Sequence, residues 1–257
     1  LQEWERKCLF DERFVELFHQ KSHDLFDMKL DDLMLPSWDS YFCGQGKFPL
    51  GASGKLEMRK LAKRWENLFD EISKIGNPSV RKICLGGIVR PMLFAGENLI
   101  IFKSGKVSSR TVMEAWLNHL LVCANINPSV STYLIFLGSS KAKKDRFEVN
   151  YQFTPISSNS AIETISQIES FVDFGLKNCW PVPHESGWSY VVAENKSFGS
   201  GKSAFVGKWN GAAKFNGERD RVEMRLCFGY KSVPERFLES ESFYSAIELL
   251  YNPILNN

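Results

Sequence analysis

Seven apolar residues, Met58, Leu61, Ala62, Trp65, Leu68, Phe69 and Ile72, return every three or four positions, and beyond Gly76-Asn77-Pro78 that period is lost. This spacing places all seven on one stripe of a helix, which must lay that stripe on a partner surface. Gly76 and Pro78 stop the helix. Short apolar runs follow. Residues 80–89 and 98–103 read as strands, with Ala95-Gly96-Glu97-Asn98 as the turn between them. A second helix is expected from near Thr111, with Glu114 three residues on as a capping box. Its stripe is Val112, Met113, Trp116, Leu117, Leu120, Leu121 and Ala124, and Asn125 and Pro128 end it.

Residues 131–137 read as a buried strand, residues 141–146 as a basic turn, and residues 147–153 as the hairpin partner. A third helix is predicted over residues 158–178, with Ala161, Ile165, Ile168, Val172 and Leu176 on one face and Pro181 and Pro183 closing it. Residues 184–215 read as loop-rich with weak helical content, 222–230 as a late strand and 234–251 as a C-terminal helix. Helices and strands in this order predict an α/β chain with a mixed sheet flanked by helices. Residues 11–30 look helical and acidic, and residues 33–47 read as a loop. The first 45 residues are expected to be a connector from a missing upstream region, and residues 46–257 the domain proper. The opening Leu1-Gln2-Glu3-Trp4 reads as a cut made inside a longer protein.

A chain of 257 residues that is 44% hydrophobic buries a sizeable core, which excludes a disordered or collagen-like protein. No apolar run approaches the roughly 20 residues of a membrane helix. The net charge of +2 hides an uneven distribution. Residues 1–50 carry 6 basic and 10 acidic side chains, residues 51–150 carry 16 and 8, and residues 151–257 carry 10 and 12. The middle third is where a polyanion would bind. The six cysteines are scattered with no Cys-x-x-Cys pair, which argues against structural zinc and fits a reducing cytoplasm. Cys84 and Cys123 lie in apolar stretches and are expected to pack as small hydrophobes.

Ser200-Gly201-Lys202-Ser203 has the end of a phosphate loop, but Lys196 stands where the pattern needs its first glycine. His19 and His23 are four apart on a predicted helix without a nearby third ligand, and His119 reads as a satisfied, partly buried histidine. Two strands, a following helix and Lys103 at the end of the second strand are similar to the PD-(D/E)XK nuclease core. That core sets an acid on one strand and acid-x-Lys on the next, so that two carboxylates hold a divalent cation beside the lysine. Here Arg90 stands at the first acid's place and Ile101 two before Lys103. Arginine is a fixed cation and isoleucine has no oxygen, so neither holds a metal.

Further stretches carry a resemblance: Phe48-Pro-Leu-Gly-Ala-Ser-Gly-Lys55, Leu85-Gly-Gly-Ile-Val-Arg-Pro91, Ala115-Trp-Leu-Asn-His-Leu-Leu-Val-Cys-Ala124, Gly175-Leu with Pro181-Val-Pro183, Gly217-Glu-Arg-Asp220 and Leu250-Tyr-Asn-Pro-Ile-Leu255. In this order, across about residues 30–257, the chain resembles the C-terminal domain of the gamma chain of exodeoxyribonuclease V, the RecC subunit of the RecBCD helicase–nuclease. The resemblance implies a catalytically inactive PD-(D/E)XK fold. Arg90, Ile101 and Lys103 would be vestigial positions, without metal, cofactor or catalytic residue. It implies a role in subunit assembly, duplex splitting and single-strand guidance during recombinational repair of DNA breaks. The partners would be the beta (RecB-type) and alpha (RecD-type) subunits and DNA, in the cytoplasm and away from membranes.

Lys141, Lys143, Lys144 and Arg146 on the basic turn are the candidates for phosphate contacts. Two other readings stay open. One is an active metal-dependent deoxyribonuclease drawing on Glu97, Glu114 and Asp145. The other is a protein-interaction module anchored by Phe237, Phe243 and Tyr244.

Overall fold

A computed structural model of the chain describes residues 6, 46–47, 49, 51–85, 88–105, 107–137, 146–179, 181–212 and 215–256. They fall in two compact units that interleave along the sequence. One comes from Leu1–Val107 and Ser129–Pro155, the other from Ser108–Pro128 and Ile156–Asn257. The helix expected over residues 11–30 lies outside the described residues.

The first unit is a helix on a five-stranded sheet. Helix α1 (Ala52–Ile75) is followed by β1 (Pro78–Leu85), β2 (Ile88–Ala95) and β3 (Asn98–Lys103), and later by β4 (Thr132–Leu137) and β5 (Phe147–Phe153). The sheet order is β1-β2-β3-β4-β5. All neighbours are antiparallel except β3 and β4, which run parallel. A parallel pair needs a crossover connection, and the segment carrying α2 (Ser109–Asn125) supplies it.

Pairing explains the core. Leu93 and Ala95 of β2, Ile100 of β3, Ile135 and Leu137 of β4 and Phe147 of β5 form one cluster with Met58, Leu61, Trp65, Leu68, Phe69 and Ile72 of α1. These helix residues are six of the seven read from the sequence, and the seventh, Ala62, packs at the cluster's edge. Alternation along each strand leaves Phe94, Leu99, Ile101, Lys103, Leu134 and Phe136 on the opposite face. At the foot of α1, a side chain on Gly76 would meet the backbone carbonyl of Ala95 at 2.8 Å, so the helix end abuts β2 too closely for any other residue.

Residues 80–89 were expected to form one strand. They contain the end of β1 and the start of β2, a hairpin with register from Pro78↔Ala95 to Leu85↔Ile88. The pairing of β2 with β3 covers only Leu93–Ala95. The hairpin therefore runs five residues, 88–92, beyond the sheet. Pro91 falls in this stretch, where a strand with one open edge can do without its N–H.

The second unit is helical. It contains α2, α3 (Ser158–Lys177), α4 (His184–Lys196), α5 (Gly201–Asn210), a small hairpin of β6 (Gly211–Ala212) and β7 (Phe215–Asn216), a 3-10 turn (Glu218–Asp220), α6 (Val222–Phe228), α7 (Glu235–Leu238), α8 (Glu241–Leu250) and α9 (Asn252–Asn256). Helix α2 starts earlier than expected. Ser108 is its cap, accepting from the Thr111 N–H at 3.2 Å, and Glu114 forms no box. The loop-rich reading of residues 184–215 is corrected: two helices fill most of it. The late strand over residues 222–230 is also corrected, because residues 222–228 form α6. The expected C-terminal helix is broken into α7 and α8 by Glu239 and Ser240. Phe205, Trp209, Phe237 and Phe243 supply the aromatic core here, with ring centroids 5.0–6.4 Å apart.

Candidate nucleic-acid interface

The three positions singled out for a lost metal centre lie on neighbouring strands of the first unit. Lys103 is paired with Phe136 and Ile101 with Leu134 in the β3–β4 ladder. Arg90 is paired with Ile83 on β1, three residues past the last β2–β3 pair. Strand alternation puts all three on the sheet face turned away from α1. Arg90 is exposed, while Ile101 and Lys103 are half-buried. Beside Lys103, the next strands offer buried Phe136 and then Glu148, paired with Phe136 on β5. The row reads cation, ring, acid, and among the described residues no pair of carboxylates joins it.

Of the three acids proposed for an active centre, Glu97 alone is described in the sheet unit. Glu97, in the β2–β3 turn, holds the Arg81 guanidinium at 3.0 and 3.1 Å, and that pairing keeps its carboxyl below the usual range. Arg81 also donates to the Gly96 carbonyl at 2.7 Å and lies over the Phe94 ring at 4.8 Å. The pair fastens a turn. Glu114 is exposed on α2, in the other unit, and Asp145 lies outside the described residues. Among the described residues no group of three or more His, Cys, Asp or Glu is placed to hold a metal ion.

Of the basic turn, Lys141, Lys143 and Lys144 lie outside the described residues, and Arg146 is exposed immediately before β5. The extension of the β1–β2 hairpin is a feature the sequence reading missed. It carries exposed Lys82, Ile88, Val89 and Arg90 beyond the sheet. The signal was Gly86-Gly87, a dipeptide favoured in two-residue hairpin turns.

In the second unit, the phosphate-loop-like segment opens α5. The backbone N–H groups of Gly199 and Gly201 both donate to the Glu194 carboxylate at 2.8 Å, and the Ser200 hydroxyl donates to the Ala193 carbonyl at 2.7 Å. A carboxylate of the chain itself thus takes the amides that a phosphate would need, and these bonds hold its pKa down. His119 is fully buried, not partly buried. It stacks on Trp116 with centroids 5.5 Å apart and touches the Cys123 sulfur at 3.7 Å. Burial pushes the Cys123 thiol up, as expected for a packed cysteine. Cys84 departs from that expectation: it is exposed on β1. His19 and His23 lie outside the described residues. Phe237 and Phe243 are core residues, and the Tyr244 hydroxyl donates to the Leu238 carbonyl at 2.9 Å.

The sheet-and-helix chain with these residues matches the family model of the RecC C-terminal domain over residues 15–195. The chain belongs to that family. No match to a curated protein is found. Membership makes this RecC C-terminal domain part of a RecBCD-type complex, an ATP-dependent helicase–nuclease of DNA repair and recombination, and so a component that assembles with other subunits. The match covers all of the sheet unit's described strands and reaches the last turn of α4 in the helical unit. No described helix of the RecC C-terminal domain is long and apolar enough to cross a membrane.

Proposed function

We propose that this RecC C-terminal domain, residues 46–257, is a PD-(D/E)XK fold that has lost its metal site. In this reading it holds subunits together, helps to split the duplex and guides single strands in a cytoplasmic exodeoxyribonuclease V. The first 45 residues connect it to the upstream part of the gamma chain, and its partners are the RecB-type and RecD-type subunits and DNA. The observation that carries the reading is the placement of Arg90, Ile101 and Lys103 on one sheet face. Two adjacent antiparallel strands followed by a helix supply the frame that the nuclease core uses, and the positions that would hold two carboxylates hold a cation and a hydrocarbon. A divalent ion bound by oxygen ligands has nothing to bind at either position.

Such a face still suits DNA. Phosphate contacts need only cations that can reach a strand, and Arg90 stands exposed on this face of the projecting hairpin, with Lys82 exposed on its other face. Lys141, Lys143, Lys144 and Arg146 are the further phosphate contacts in this reading. Exposed Ile88 and Val89 at the hairpin's end give it an apolar tip, the kind of surface that lies against an unpaired base.

The test is binding of single-stranded and forked DNA across a salt series. The reading predicts an affinity that falls steeply with salt. Changing Lys141, Lys143, Lys144 and Arg146 together to Ala is expected to reduce the log–log slope by about two to four, at about one for each phosphate left without its cation. No binding at low salt, or a slope unchanged in the fourfold variant, contradicts it.

A further inference from the structure

Cys179 and Cys227 are 48 residues apart in sequence and meet at one point of the helical unit. Cys179 follows α3 directly after its extended cap, Asn178. Cys227 is the last residue but one of α6. The Cys179 thiol donates to the Cys227 carbonyl with a sulfur–oxygen distance of 3.4 Å, which brings its sulfur against the Cys227 residue. Both are free and exposed, unlike Cys123, which is buried in the same unit and fills space as a small hydrophobe. Two adjacent thiols at the surface fill no core, but an oxidant reaches them both.

We infer that Cys179 and Cys227 form a modification site, closed by peroxide into an intramolecular disulfide that ties the end of α3 to α6. One thiolate attacks the O–O bond of hydrogen peroxide; its sulfur becomes a sulfenic acid and one water leaves. The second thiolate attacks that sulfur, the S–S bond forms, the S–O bond breaks and a second water leaves. Two thiols give up two electrons and two protons, and one peroxide takes them up as two waters. Desolvation and the neighbouring Cys179 thiol push the Cys227 thiol above its ordinary range, so closure speeds up as pH rises.

The tie would act on a helix that has little else to hold it. Helix α6 has no buried residue. Its anchors are Phe228, with ring centroids 4.9 Å from Phe237 and 6.4 Å from Trp209, and Arg225, bonded to Asp220 at 3.1 Å. Val222 and Leu226 are 70% and 81% exposed on its surface. A covalent bond at Cys227 fixes the helix that presents them.

The test starts from the reduced 257-residue chain, treated with hydrogen peroxide at mildly alkaline pH and digested without reductant for mass mapping. The expected product is one cross-linked peptide pair holding Cys179 and Cys227, two hydrogens lighter than its parts. The Cys227→Ser variant, with its fold checked by circular dichroism, gives none. In the oxidised chain the amides of α6 are expected to exchange with deuterium about tenfold more slowly. The inference is overturned if the two sulfurs become separate sulfinic acids, or pair with another cysteine such as Cys84. It is equally overturned if they stay reduced while Cys84 oxidises, or if α6 exchanges no more slowly once they are bonded.

Discussion

Lys103 stands beside Phe136 across the parallel β3–β4 ladder, and two residues earlier Ile101 stands beside Leu134. Phe136 and Leu134 are both buried. The lysine that would serve a metal-bound water thus has a buried ring as its ladder neighbour, and the position that would carry a carboxylate is set against a buried leucine. On the proposed reading, the change from a nuclease site to a packed sheet face reaches into the neighbouring strand. It is not a matter of one missing acid.

This makes a point substitution informative. Ile101→Asp sets a carboxylate against buried Leu134 at a half-buried position, and the expected cost is about 2–4 kcal/mol in urea unfolding. Addition of about 10 mM Mg²⁺ is expected to leave the variant's midpoint where it was, because among the described residues no second carboxylate is a ladder neighbour of position 101. A midpoint that rises with Mg²⁺ would mean that ligands for a cation remain on this face.

The α1–sheet contact is the main apolar joint of the first unit. Trp65 is fully buried in it, 5.1 Å from the Phe69 ring. Trp65→Ala is expected to lower stability by about 3–5 kcal/mol. At the end of the same helix, Gly76→Ala forces a methyl group against the Ala95 carbonyl and is expected to cost about 1–3 kcal/mol. Urea unfolding of both variants checks these values, and a Gly76→Ala chain as stable as the parent would contradict the tight helix–strand approach.

How much of this was legible in the sequence depends on which kind of signal each segment carries. Helix α1 shows one apolar stripe and polar flanks, so its period names both its structure and its buried face. Helix α4 does not: Ser186, Gly187, Trp188 and Val191 are its buried residues, and a serine and a glycine look like loop. In α6, residues 222–228 include Val222, Leu226 and Phe228, an apolar set read as a strand, but the segment is helical and buries none of them. The β1–β2 hairpin was fused into one strand because its apolar run continues on both sides of Gly86-Gly87. Alternation in the strand read over residues 98–103 set Ile101 and Lys103 on one face, but Arg90 stood just past the end of a strand that the structure splits in two. That Glu194 would take the amides of the phosphate-loop-like segment was not legible, because its carboxylate reaches them from the preceding helix.

Glu57, on α1, titrates far from the usual carboxylate range. The Arg6 guanidinium bonds it at 2.5 and 3.1 Å and Lys60 at 2.9 Å, which lowers its pKa from 4.5 to about 2. A carboxyl held lower in the folded than in the unfolded chain stabilises the fold above the unfolded value, and that stabilisation is lost as pH falls through the folded one. Between about pH 5 and pH 2 this group is expected to withdraw on the order of 2 kcal/mol. Urea unfolding across that range should show a flatter pH dependence in Glu57→Gln than in the parent. Identical slopes would contradict the pairing.

Glu218 sits in the 3-10 turn and is buried. It accepts the backbone N–H of Glu185 at 2.9 Å and of Ser186 at 2.6 Å, and the Ser186 hydroxyl at 2.6 Å. It caps α4 from a distance of more than 30 residues and meets the positive end of that helix with a negative charge. Glu218→Ala leaves those donors buried without an acceptor and is expected to cost about 2–4 kcal/mol. Glu218→Gln, which keeps an acceptor oxygen, is expected to cost less than half of that. Thermal unfolding of the pair decides it, and equal losses would mean that the side chain's bulk matters and its bonds do not.

The proposed absence of a metal site is tested most directly by cleavage. Labelled single- and double-stranded DNA is incubated with the chain in Mg²⁺ and, separately, in Mn²⁺, and the products are resolved on a denaturing gel. The account predicts no product above the level without protein in either metal. Metal-dependent cutting that disappears in Lys103→Ala would contradict it and return the sheet face to a working nuclease.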